Sequence, residues 1–219
     1  MNKVLVISPH PDDETLGCGG TLIRHKREGD EIHWLIMTNV NPDDKDVYSV
    51  KEREIAEVSK AYNFDTTSRT KFLTSELDTI PTKELIKAIS EVLEEIQPNY
   101  LYLPFKNDIH SDHSVVFDAA ASCTKSFRYP YVKRVVIYET ISETEFSIRP
   151  DREQFKPNLW IDISNDIEEK IKIMSLYKSE IGKEPFPRSE ENIRSLAKFR
   201  GSTAGVLSAE AFMLLKEII

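Results

Sequence analysis

Short runs of consecutive apolar residues alternate along this chain with longer segments whose apolar residues recur every three or four positions. The runs are typical of buried parallel strands, and the spaced segments are typical of amphipathic helices. The pattern predicts strands at 3–8, 31–38, 71–74, 100–105, 134–139 and 159–163. It predicts helices at 15–28, 50–62, 81–96, 115–127 and 166–181, with one or two more in the last forty residues.

The order of these elements predicts the fold class. Strands alternate with helices over most of the chain, which favours an α/β protein with a three-layer α/β/α sandwich on a mainly parallel sheet. The length of 219 residues suits one domain spanning 1–219. We expect its core over about 1–140 and a carboxyl-terminal cap near the functional site over about 141–219, where the alternation breaks.

Composition limits the binding partners and the cellular location that we expect for this chain. The net charge of −8 argues against an electrostatic grip on nucleic acid. Two cysteines form neither a disulfide framework nor a zinc-finger pattern. The sequence has no secretory signal pattern and no apolar run long enough to span a membrane, so we expect a cytoplasmic protein.

Two polar stretches follow predicted strands and contain three of the five histidines. The first is SPHPDDETLGCGG at 8–20, and the second is HSDH at 110–113. The carboxyl ends of parallel strands lie at one edge of a sheet, where ligand sites are built. We therefore expect the two stretches to meet and to hold a divalent metal ion. Glu14 suits the first turn of a helix, and the glycines that follow it would let that helix pack close to the first strand.

The spacing of these residues suggests a role for each. A catalytic zinc site has three protein ligands and one open position, and His10, Asp13 and His113 can supply the three. Asp12 would then lie beside the open position and exchange protons as a general base. A protonated His110 could stabilise an oxyanion, with Asp112 holding its imidazole.

The same residues carry a resemblance to a known family. PHPDDE at 9–14 together with HSDH at 110–113 resembles the PIG-L/LmbE-like de-N-acetylases, and the similarity extends to Arg53, to Arg200-Gly201 and to AEAF at 209–212. It covers most of the chain. The resemblance implies a Rossmann-like core and zinc-dependent removal of acetyl groups from N-acetylglucosamine units.

Carried over by position, the resemblance places the zinc ligands on His10, Asp13 and His113. It makes Asp12 the general base, His110 the oxyanion-polarising group and Asp112 the partner of His110. It also implies that Arg53 contacts substrate, whereas the alternative is an exposed helix arginine paired with Glu57. Some members carry a tyrosine before the second motif, where this chain has Asn107-Asp108-Ile109. Many have a sugar-binding aspartate after the third strand, where Glu76 could substitute.

The sequence leaves alternatives open for function and partners. The first hypothesis is deacetylation of a small amino-sugar substrate. The second is cleavage of another sugar-linked amide, such as a thiol conjugate, and the third is a metal-bearing protein that binds a sugar without turnover. A homo-oligomer is possible. Some residues of the carboxyl-terminal part could contact a phosphate or second sugar, or be solvated surface: Phe146, Arg149, Arg152, Arg188 and Arg194.

Overall fold

A computed structural model describes residues 1–148 and 150–219, so Arg149 lies outside the described residues. The described residues form seven strands: β1 (Lys3–Ser8), β2 (Glu31–Ile36), β3 (Thr66–Arg69), β4 (Tyr100–Pro104), β5 (Arg134–Tyr138), β6 (Leu159–Asp162) and β7 (Ala209–Glu217). In the same part of the chain there are six α-helices: α1 (Asp13–Arg27), α2 (Lys45–Tyr62), α3 (Thr82–Ile96), α4 (Ser111–Ser122), α5 (Ile167–Met174) and α6 (Glu190–Ala204).

All seven strands form one sheet in the order β3-β2-β1-β4-β5-β7-β6. The first five in this order are parallel, and β7 pairs antiparallel with both β5 and β6. This confirms the predicted α/β class with a mainly parallel sheet. Because β1 lies between β2 and β4, the chain direction across the sheet reverses at β1, and ligands bind at such reversals in open α/β sheets.

Each face of the sheet carries its own apolar core. Val4 and Val6 of β1 point to one face, where they share a cluster with residues of α1, α2, α5 and α6. Leu5 and Ile7 point to the other face and pack with α3 and α4. Successive strand residues alternate between faces, so the continuous apolar run of β1 serves both cores at once. This two-sided burial is the reason that the central strands are uniformly hydrophobic.

The third strand differs from the prediction. β3 is formed by Thr66–Arg69, whose residues are exposed or half-buried, and not by 71–74. It lies at the sheet edge and, among the described residues, pairs only with β2. Because its side chains are exposed or half-buried, it lacks an apolar pattern. Leu73, in the predicted segment, makes a single bridge to Asn39.

The carboxyl-terminal region is only partly a cap. The helix α6 runs through Gly201 to Ala204, and the next regular element is β7, which begins at Ala209, and not a helix. β7 lies between β5 and β6, so much of this region completes the sheet. α5 ends at Met174, well before the predicted 181. The segment 175–189 between α5 and α6 reaches the edge where β1 ends.

Gly17 of α1 allows a close approach to a strand, but not to the strand that was expected. A Cβ at Gly17 would collide with the ring of Tyr138 in β5. The Tyr138 hydroxyl donates to the carbonyl of Ile7 in β1 (2.9 Å). The partner of Gly17 is thus β5, not the first strand. Among the described residues, no helix combines the length and apolar character needed to cross a bilayer.

Candidate metal and catalytic site

The loops after β1 and β4 lie side by side because these strands are paired in the sheet. α1 begins at Asp13, directly after the first loop, and α4 begins at Ser111 in the second. Ligand atoms of His10, Asp13 and His113 lie within 4.8 Å of one another. The structure thus brings together the three residues that the sequence predicted as metal ligands.

Each of the two histidines is held by a carboxylate on its outer ring nitrogen. His113 Nδ1 lies 2.7 Å from Asp108 Oδ2, and His10 Nε2 lies 3.0 Å from Asp112 Oδ2. With protons on those nitrogens, the opposite nitrogens carry lone pairs. They face Asp13: His113 Nε2 is 3.4 Å from Oδ1, and His10 Nδ1 is 3.3 Å from Oδ2. Such outer carboxylates orient metal-ligating histidines in known metal sites.

The donor set fits a catalytic zinc ion. His113 Nε2 is buried and has no hydrogen-bond partner among the described residues. Such an atom is costly to bury unless another group binds to it. Burial opposes ionisation of Asp13, but when His113 is protonated, its charge and the hydrogen bond from His10 outweigh burial and lower the pKa of Asp13 to about 2. Two imidazoles and one ionised carboxylate match the three-ligand pattern of catalytic zinc. These residues therefore fit the metal that the sequence implies.

Metal and proton compete for His10. Burial lowers the pKa of His10, but hydrogen bonds to Asp112 and Asp13 outweigh burial and raise it to about 10. A metal ion that bound through His10 would therefore have to displace a proton, and its binding would weaken as the pH falls.

A second group, His10, His110 and Asp112, also lies within ligand distance. The Asp112 carboxylate is already used there: it accepts backbone N–H groups from Ser75 (2.7 Å) and Leu77 (3.4 Å) in addition to His10. The group around Asp13 is therefore the better candidate for a metal.

His110 differs from the prediction in its partner and its charge. The Asp112 carboxylate contacts His10 Nε2 at 3.0 Å, whereas His110 Nδ1 is 4.0 Å from Asp112 Oδ2. Instead, His110 Nδ1 accepts the backbone N–H of Asp112 (3.2 Å) at the start of α4. Burial, followed by the charges of His10 and His113, lowers the pKa of His110 to about 4. The lowered pKa favours the neutral imidazole, and because Nδ1 accepts an N–H, the proton of that neutral form lies on Nε2.

Asp12 is held in a strained backbone conformation. Its φ of 129° is unusual for a residue with a side chain. Its N–H donates to Glu14 Oε2 (3.1 Å), and Glu14 Oε1 accepts from the Tyr177 hydroxyl (2.8 Å). Glu14 is fully buried, and these two hydrogen bonds fix the turn at Asp12. The sequence predicted only a favourable charge in the first turn of a helix for Glu14.

The carboxyl group of Asp12 has a perturbed acidity. Burial, followed by the charges of Asp13 and Glu180, raises the pKa of Asp12 well above its ordinary value, and Arg188 opposes this shift. Groups with such shifts in a cleft are typical of proton-transfer sites.

A cavity of about 360 Å³ opens beside these groups, within the range of small-molecule sites. Arg53 is exposed on α2 and does not line it, whereas Lys51 and Arg69 do. Glu76 is also exposed and does not line the cavity, whereas Thr74 does. The lining residues are His10, Pro11, Asp12, Asp13, Thr38, Asn39, Val40, Lys51, Arg69, Thr74, His110, Glu143, Glu180 and Arg188.

Sequence reasoning missed Asp108, Lys51, Arg69 and Glu180 at this site. Asp108 lies five residues before His113, and a carboxylate near a candidate ligand was the available signal. Arg188 was one of several candidates for substrate contact, and it reaches the cavity. Arg194, another of them, instead pairs with Glu168 on α5.

The Asp108 contact predicts an effect on metal affinity. In Asp108→Asn the amide replaces the charged acceptor of the His113 Nδ1 proton, so zinc affinity should fall about 10- to 100-fold. Competition with a chromophoric chelator measures this change. The control is Asp118→Asn. Asp118 is an exposed residue of α4, and its carboxylate pairs with Lys106. Equal affinities in the two variants would contradict the role given to Asp108.

Comparisons with known proteins identify a family for this chain. A family model described as PIG-L, GlcNAc-PI de-N-acetylase, matches residues 5–124, more than half of the chain. The chain is 23% identical to the diacetylchitobiose deacetylase of Thermococcus kodakarensis over 226 residues, covering 100% of this chain and 85% of that protein.

Solved structures share the fold. The N,N'-diacetylchitobiose deacetylase from Pyrococcus horikoshii, complexed with its inhibitor MPG, matches with a TM-score of 0.77 and 21% identity, covering 98% of this chain and 84% of that one. GalB, the 4-carboxy-2-hydroxymuconate hydratase from Pseudomonas putida KT2440, matches with a TM-score of 0.76 and 16% identity, covering 100% and 98%. Because proteins with different reactions share it, the fold alone does not specify the chemistry.

Proposed function

This chain belongs to the PIG-L family, and from that membership we propose that it is a zinc-dependent hydrolase that removes the acetyl group from an N-acetylglucosamine-type amino sugar. The observation that carries the proposal is the group of His10, Asp13 and His113 with Asp12 beside it in an open cavity. The diacetylchitobiose deacetylase relative supports the choice of an acetylated amino sugar.

Three residues would hold the metal: His10 through Nδ1, His113 through Nε2, and Asp13 through its carboxylate. A zinc ion bound there acts as a Lewis acid that makes a water more acidic and an amide carbonyl more electrophilic. The carboxylates of Asp108 and Asp112 keep the two imidazoles in the required tautomers.

Asp12 performs the proton transfers in this proposal. It accepts a proton from the attacking water and delivers it to the sugar nitrogen as the C–N bond breaks, which yields acetate and a free amine. A raised pKa suits this double role, because the group must be a base in one step and an acid in the next.

Neutral His110 stabilises the developing oxyanion by donating from Nε2. It needs no positive charge, because a fixed N–H dipole in a partly buried site stabilises negative charge without reorganisation. Substrate contacts are proposed for Lys51, Arg69 and Thr74, which line the cavity, in place of Arg53 and Glu76.

The proposal predicts metal-dependent release of acetate. Purified protein is incubated with N-acetylglucosamine, diacetylchitobiose and nucleotide-, lipid- and inositol-linked N-acetylglucosamine, while bound metal is quantified in the same sample. We expect acetate release that a chelator abolishes and that added zinc restores. Other sugar-linked amides, including a thiol conjugate, test the wider amidase alternative. Zinc with sugar binding but no turnover of any amide would favour a non-catalytic binding protein.

A further inference from the structure

A chain of alternating charges links α2 to the carboxylate of Asp12. Lys51 Nζ lies 2.7 Å from Glu180 Oε1, and Glu180 Oε2 lies 3.2 Å from Arg188 Nη2. Arg188 Nη1 then lies 3.4 Å from Asp12 Oδ2. Glu180 and Arg188 both belong to the segment 175–189, which lies outside the part of the chain matched by the family model.

The contact with Arg188 is the one hydrogen bond that the described residues make to the Asp12 carboxylate. The neighbouring carboxylates are held more firmly. Asp112 accepts two backbone N–H groups and contacts His10, and Asp108 contacts both His113 and Thr144. Without Arg188, the side chain of Asp12 would therefore have no polar partner to fix its rotamer.

Arg188 is itself held in place. Its guanidinium lies over the ring of Phe186, 5.4 Å from the centroid, and contacts Glu180. Glu180 is fixed in turn by Lys51 and by the Ser179 hydroxyl. A planar guanidinium that is supported in this way presents its N–H groups in a defined direction.

We propose that Arg188 is a positioning residue that orients the Asp12 carboxylate toward the reacting atoms, with Glu180 and Lys51 as its support. This inference rests on the proposed function, because it assumes that Asp12 transfers the proton. It assigns the segment 175–189 a part in turnover, although that segment provides none of the proposed metal ligands.

The test uses Arg188→Met, which removes the charge and keeps much of the side-chain length. We expect kcat to fall on the order of 10- to 100-fold, because small displacements of a reacting group are costly. KM should stay within about twofold of the wild-type value, and zinc content should not change. Arg188→Lys should recover part of the loss. The control is Arg194→Met, whose arginine pairs with Glu168 and does not line the cavity.

Other results would overturn the inference. An unchanged kcat means that Asp12 does not depend on Arg188, and a raised KM with unchanged kcat means that Arg188 binds substrate. A crystal structure of zinc-loaded Arg188→Met adds a measurement independent of turnover, in which we expect the Asp12 carboxylate to be displaced. If the wild-type protein releases no acetate from any compound, the proposed function fails. In that case the crystal structure of zinc-loaded Arg188→Met decides the inference by itself, and an Asp12 carboxylate in its wild-type position overturns the inference.

Discussion

Asp12→Asn should lower kcat for acetate release by roughly two to four orders of magnitude, the usual contribution of a positioned acid–base group. The amide of asparagine neither accepts the proton of water nor returns one to the leaving amine. Because Asp12 is not one of the three clustered ligand residues, bound zinc should remain near the wild-type amount. Steady-state kinetics with metal analysis on the same preparation measures both quantities.

A matched control separates this effect from a general loss of charge near the cavity. Asp43 is an exposed carboxylate in the loop before α2 and has no place in the cavity lining. Asp43→Asn should therefore keep full activity. If Asp12→Asn also kept full activity, Asp12 would not be the base. If it lost zinc, Asp12 would belong to the metal-binding residues.

His113→Ala should remove most of the bound zinc and, with it, nearly all acetate release. The imidazole is fully buried, and its Nε2 is the unpartnered atom directed at Asp13. Two remaining ligands do not make a stable zinc site where three are typical. The expected outcome is a low zinc content after dialysis, with partial recovery of activity only at high added zinc.

His25→Ala is the matched control for this variant. His25 is also buried and hydrogen-bonded to a carboxylate, with Nδ1 2.8 Å from Asp30 Oδ2, but its other nitrogen contacts the Tyr102 hydroxyl. It should lower the free energy of unfolding while zinc content and kcat remain. If the two variants lost the same amount of zinc, the effect of His113 would be one of folding and not of ligation.

The central part of the fold could be predicted from the sequence because its strands have strong apolar patterns that are local in the chain. β1 and β4 are continuous apolar runs, and each ends in a polar stretch with histidine and aspartate. Pairing of the two strands then brings the stretches together by geometry alone. For this reason the structure places ligand atoms of His10, Asp13 and His113 within 4.8 Å of one another, and their role as metal ligands stays a prediction.

The remaining features depend on long-range packing. β3 is an exposed edge strand of Thr, Ser and Arg, so nothing in its apolar pattern marks it. β7 is identified only by its two neighbours, β5 and β6. The partner of the Asp112 carboxylate depends on which imidazole the folded loops bring closest. Arg53 does not line the cavity because the phase of α2 turns Lys51 toward it instead. No spacing rule contains that information.

The order of residues along the chain has a consequence for synthesis. His10, Asp13 and His113 all precede residue 114, and the parallel part of the sheet is complete by Tyr138. Tyr177 and Arg188, which anchor the turn and the carboxylate of Asp12, are translated later. The sheet is completed last, when β7 pairs with β5 and β6. A nascent chain therefore carries the three proposed zinc ligands before Tyr177 and Arg188 are translated, so under the proposed mechanism metal capture can precede catalytic competence during biosynthesis.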